Sequence, residues 1–144
     1  MVMLDGVSLI DLKKIPNQKG EIWHALKSKE DSFRSFGEAY FSFVDYKEIK
    51  GWKKHNKMFL NLVVPLGMIR FVLYDDRNFS HSFGQYWEVE IGESNYKRLF
   101  VPPGIFVSFQ GMSSNRNMLL NIASIIHDPS ESVNIDLSEI KYSW

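Results

Sequence analysis

The side chains able to move protons or hold anions gather in one stretch, Lys50-Gly51-Trp52-Lys53-Lys54-His55-Asn56-Lys57. Among side chains, imidazole has the ordinary pKa nearest neutrality, so His55 is a candidate general base. A protonated lysine holds a phosphate or an enolate oxygen; it becomes a base only if burial or a neighbouring cation lowers its pKa by several units. The same lysines also read as a solvated basic edge that blunts strand pairing. Trp52 reads either as a stacking platform for a base or sugar or as a packing residue. The other histidines, His24, His81 and His127, are scattered, and none of the four pairs with another at a spacing of two or four. That spacing argues against an oxygenase-type metal site, which needs several convergent histidines and a carboxylate. With no cysteine in the chain, thiolate catalysis, sulfur-bound zinc and disulfides are excluded. Walker loops, GxSxG elbows, HExxH helices and EF-hand loops are missing too.

The elements that must position these groups read as short strands. Gly and Pro interrupt the chain at Pro16, Gly20, Gly37, Gly51, Pro65–Gly67, Gly84, Gly92, Pro102–Gly104, Gly111 and Pro129. Between them lie runs rich in Val, Ile, Phe, Tyr and Leu, at Met58–Val64, Met68–Tyr74, Gln85–Ile91, Leu99–Val101, Ile105–Phe109 and Met118–Ile126. Short apolar runs between turns predict an all-β sandwich or barrel. Tyr86-Trp87-Glu88-Val89-Glu90-Ile91 alternates with period two, as a half-buried strand does. Glu21–Phe36 is ambiguous; a strand near Glu21–Ala25 and at most a short helical turn are expected there. Asp75 and Arg77 fit a turn-forming ion pair, and Pro102-Pro103-Gly104 a rigid corner.

At 144 residues the chain makes one domain. Hydrophobic residues are 44% and aromatics 15%, enough for a sizeable core. Its 17 basic and 17 acidic residues balance, which argues against nucleic-acid binding by bulk charge and against a polybasic membrane anchor. No apolar run approaches the roughly 20 residues of a membrane helix. The expectation is a soluble cytoplasmic protein without membrane insertion.

Ordered landmarks from Gly20 to Trp144 resemble the dTDP-4-dehydrorhamnose 3,5-epimerase family. They are Lys19-Gly20 at a strand start, Ser42, Lys50-Gly51-Trp52, the run Leu66–Arg77 ending in Asp75-Asp76-Arg77, Ser82-Phe83-Gly84-Gln85-Tyr86, and Val101-Pro102-Pro103-Gly104-Ile105 with Phe109. Pro129, Glu131 and Trp144 resemble the family's tail. The resemblance implies a cupin-type jelly roll (double-stranded β-helix barrel) with short helical turns, one domain over residues 1–144. It also implies a homodimer, a nucleoside-diphosphate sugar as substrate, and no metal or other cofactor.

In that family a histidine removes a proton beside the sugar ketone, an aspartate orients it, and a tyrosine returns a proton on the other face. Here Lys53 stands at the base position, with His55 two residues on and therefore on the same strand face. Val107 stands at the second histidine and Asn121 at the tyrosine; Tyr40, Tyr46, Tyr74 and Tyr86 are not placed by spacing. By resemblance the catalytic set is His55, Lys53 and an orienting Asp136. The substrate-binding set is Lys19, Lys50, Trp52, Asn121 and Arg77. The function expected is epimerisation or keto-isomerisation of a nucleoside-diphosphate 4-keto-6-deoxyhexose in surface-polysaccharide synthesis, O-antigen or capsule. The alternative is an inactive cupin that binds a nucleotide sugar or carbohydrate, or supports a partner enzyme.

Overall fold

The computed structural model describes residues 2–144. The strands are β1 (Ser8–Asp11), β2 (Lys14–Ile15), β3 (Ile22–Trp23), β4 (Glu38–Phe43), β5 (Ile49–His55) and β6 (Leu60–Leu66). They continue as β7 (Met68–Asp75), β8 (Tyr86–Gly92), β9 (Lys97–Val101), β10 (Ile105–Gly111), β11 (Met118–Ala123) and β12 (Ser132–Asn134). Single 3-10 turns at Pro129–Glu131 and Leu137–Glu139 are the helical elements among the described residues. The strands form two five-stranded antiparallel sheets, ordered β1-β9-β6-β11-β4 and β12-β5-β10-β7-β8, beside a small β2-β3 ribbon. From β4 onward the chain crosses repeatedly between the two large sheets, which makes a jelly roll.

The main core lies between the sheets. Fully buried Ile69, Phe71 and Leu73 of β7, with Ile91 of the neighbouring β8, pack in one cluster with Leu99 of β9 from the other sheet, among other apolar side chains. A second cluster covers the outer face of the β5-containing sheet. There Trp52, Val72, Phe106 and Ile140 pack beneath Tyr142 and Trp144 of the chain end. The Glu21–Phe36 segment is a two-residue strand followed by turns closed by Glu30 N–H to Lys27 O and Phe33 N–H to Glu30 O. This matches the expected strand and turns, and the packing of the segment explains them. Arg98, wholly buried, reaches from β9 to the Glu30 carboxylate, Ala25 O, the Ser32 hydroxyl and Asn61. Satisfying that buried guanidinium dictates the path of the segment.

Strand β5 runs against β10 with a register shift between Val107 and Phe109. At this irregularity the two backbones press together. Gly51 has φ +133°, and a Cβ there would lie 2.7 Å from Ser108 Cα. The Ser108 hydroxyl donates to Lys50 O at 2.9 Å, pinning the same point. Gly51→Ala is therefore expected to cost well over 1 kcal/mol, because it adds left-handed backbone strain to a steric collision. Chemical denaturation checks this, and an unchanged midpoint would contradict it.

Candidate active site

Side chains alternate along β5, so Lys53 and His55 point between the sheets while Trp52 and Lys54 point outward. Strand β12 pairs with β5, Ser132 opposite His55. The 3-10 turn just before β12, capped by the Asp128 side chain on Ser130 N–H, sets Glu131 beneath the imidazole. His55 Nδ1 is hydrogen-bonded to Glu131 Oε1. Glu131 Oε2 accepts from the backbone N–H groups of Asn56, Lys57 and Met58 at 3.1, 2.9 and 3.2 Å.

Burial pushes the Glu131 carboxyl upward, but the bonds from His55 and from the peptide N–H groups outweigh it and hold its pKa below the usual value. Glu131 is thus an ionised carboxylate, which can only accept. It follows that Nδ1 carries the hydrogen and Nε2 the lone pair. Burial is also the largest influence on His55, and it lowers the imidazole pKa. Glu131 pulls upward, and the charges of Lys53 and His127 push down again. The net result is a neutral imidazole, 7% exposed, with its basic nitrogen unengaged by the described residues.

His55 opens onto a cavity of about 320 Å³ between the two sheets, within the size range of small-molecule sites. From the β5 sheet come Lys50, Lys53 and His55; from the facing sheet come Tyr40 and Ser42 of β4 with Asn121 of β11. Leu60, Leu62, Phe71, Val107 and Phe109 supply apolar wall. Lys50 Nζ donates to Phe43 O at 2.6 Å. Asn121 Nδ2 donates to Tyr40 Oη at 3.1 Å, while Asn121 Oδ1 is buried without a partner.

The sequence-derived candidates divide sharply. His55, Lys53, Lys50 and Asn121 come together around the cavity. Trp52 touches its wall, but its ring belongs to the second core cluster, centroid 6.4 Å from that of Trp144, so it is no stacking platform. Asp136 does not orient His55. It begins the last 3-10 turn in a capping box with Glu139, and the orienting carboxylate is Glu131. Arg77 lies outside the cavity. Its guanidinium is taken by Asp75 at 2.8 Å and by Asp5 O at 2.5 Å, and Gly104 packs directly on its side chain. Asp75, fully buried and also bonded by Ser80 and Ser82, clamps the Pro102–Gly104 corner through Arg77. Lys19 sits in the exposed β2–β3 connection, where its N–H donates to the Asn17 side chain, away from the cavity lining.

Sequence reasoning does not bring out two residues of this arrangement, Glu131 and Tyr40. Glu131 stands in the tail landmark, yet 76 positions separate it from His55 and no spacing rule links them. Tyr40 lies on β4, whose inward side chains are polar and whose outward Phe41 and Phe43 are exposed. The inverted pattern hides the strand's inner face.

Comparison with known proteins agrees with this fold. The sequence model of the dTDP-4-dehydrorhamnose 3,5-epimerase family matches residues 2–144. The crystal structure of a dTDP sugar isomerase from Desulfovibrio desulfuricans G20 superposes with a TM-score of 0.93 at 34% identity, covering 98% of this chain and 92% of that one. The probable low-salt glycan biosynthesis epimerase Agl13 of Haloferax volcanii is 25% identical over 89% of this chain and 83% of its own length. The spore coat polysaccharide biosynthesis protein SpsL of Bacillus subtilis is 25% identical over 90% and 85%. With its jelly roll, its cavity between the sheets and a family match over nearly its whole length, the chain belongs to the dTDP-4-dehydrorhamnose 3,5-epimerase family.

Proposed function

We propose that this protein epimerises a nucleoside-diphosphate 4-keto-6-deoxyhexose, with His55 removing the proton from a carbon beside the ketone. The observation that carries the reading is the buried His55–Glu131 pair opening onto the cavity between the sheets. A carbon beside a ketone is acidic enough to yield to a neutral imidazole when the enolate oxygen is stabilised. Lys53, beside His55 and without an ion-pair partner among the described residues, supplies that stabilisation. Lys50 answers the diphosphate. Asn121 Oδ1, buried and unpartnered, accepts a sugar hydroxyl. The names of the Haloferax and Bacillus relatives support a place in polysaccharide synthesis, with the cytoplasm as the site of action. Copies pair as a homodimer through the aromatic N-terminal half, where Phe36 and Phe41 are exposed. The competing reading, a binder without turnover, draws on Val107 and Asn121 standing where the family has catalytic groups.

The test is a solvent-exchange experiment by NMR. Incubated in deuterated water with dTDP-, UDP- and GDP-linked 4-keto-6-deoxyhexoses, the protein is expected to place deuterium beside the ketone of at least one. His55→Asn should lose this activity by about 10²-fold or more, the scale of general-base catalysis. Tight binding without exchange for every sugar favours the binder instead.

The pH profile gives a second check. Only neutral His55 is active, and its pKa is lowered, so the acid limb of kcat/KM should fall below pH ~6.5, the ordinary imidazole value. Lys53→Met removes a like charge, which makes protonation easier and moves the limb upward. Glu131→Gln removes an attraction for the imidazolium and moves it downward. A limb that ignores both substitutions would show that a different group is titrating.

A further inference from the structure

We propose that Tyr40 is the acid that returns a proton to the sugar from the side opposite His55, making the cavity a two-sided, inverting proton-transfer site. This inference rests on the reading of His55 as the base. It starts from the architecture: His55 belongs to β5 in one large sheet, Tyr40 to β4 in the other, and both line the same cavity. A ring inserted between the sheets presents one face to each wall. A base on one wall and a hydroxyl on the other is the arrangement that inversion requires, whereas a single base returns the proton to the face it left.

The bonding of Tyr40 suits the role. Tyr40 and Asn121 are direct cross-strand partners, and Asn121 Nδ2–H donates to the phenol oxygen at 3.1 Å. With its oxygen serving as acceptor, the phenol's own hydrogen has no protein acceptor among the described residues and is available to the cavity. Once that hydrogen leaves, the same Asn121 bond lands on a phenolate and strengthens, as bonds to ionised acceptors do. Tyr40 is also 41% exposed, so it stands at the mouth, where solvent can restore its proton.

The step balances. His55 Nε2 takes the proton, and the C–H electron pair forms the enolate C=C as the carbonyl pair moves onto oxygen. The Tyr40 O–H then breaks and its proton bonds to the same carbon from the opposite face, while the enolate electrons restore the ketone. Solvent returns a proton to Tyr40 and takes one from His55, so no net oxidation or reduction occurs.

Tyr40→Phe removes one oxygen from a half-exposed site and leaves the fold intact. With dTDP-4-keto-6-deoxy-D-glucose in deuterated water, this variant is expected to keep deuterium wash-in within about threefold of wild type. It should lose formation of the inverted sugar by roughly 10²-fold or more, the scale of general-acid catalysis. Inversion at the wild-type rate would overturn the proposal. So would equal loss of wash-in and inversion, which would place Tyr40 on the enolate rather than on the far face. Wash-in that survives His55→Asn marks failure of the base assignment itself, and the proposal falls with it.

Discussion

A carboxylate buried under an imidazole persists only if its lost hydration is replaced, and the Glu131 site replaces it fully. One oxygen takes the His55 Nδ1 hydrogen; the other takes three consecutive peptide N–H groups from the turn that leaves β5. That single arrangement does three things. It fastens the chain end, through β12, to the edge of the β5 sheet. It holds Glu131 ionised, and so it fixes the tautomer that leaves Nε2 basic. The burial of the ring and the charge of Lys53 then keep the imidazole neutral against the upward pull of Glu131. Base strength and strand anchoring share one contact, so a change at Glu131 acts on both.

The hollow beside this contact is a departure from close packing. Elsewhere the two sheets are sealed by Ile, Leu, Val and Phe. At the cavity the inward positions are Ser42, Tyr40, Asn121, Lys50 and Lys53, whose polar ends cannot pack dry against one another. Water or a polar ligand must fill the space. The apolar side chains that remain there, Leu60, Leu62, Phe71 and Val107, line the rest of the hollow and give it its shape.

The parts of this structure legible in the sequence are those governed by local rules. The apolar runs at Met68–Tyr74 and Ile105–Phe109 became β7 and β10 because their side chains fill the space between sheets. Period two put Lys53 and His55 on one face, and the Asp75–Arg77 pair closed a turn as its chemistry suggests. What stayed hidden depended on tertiary contact. Asp136 and Glu131 are both acidic residues near the chain end; only the paths of β12 and the preceding turn decide which lies under His55. Strand β4 turns polar residues inward and phenylalanines outward, the reverse of the rule used to read strands. Trp52 could have faced the cavity or the tail, and the tail's own aromatics, Tyr142 and Trp144, settled it.

The central claim is that burial and the charge of Lys53 keep His55 neutral while Glu131 holds the ring hydrogen on Nδ1 and leaves a lone pair on Nε2. Nitrogen-15 NMR of the histidine side chains at neutral pH reads this directly. The account predicts one protonated, pyrrole-like Nδ1 and one unprotonated, pyridine-like Nε2 for His55, with the assignment fixed by loss of those signals in His55→Asn. An imidazolium at position 55, or hydrogen on Nε2 instead, would contradict it.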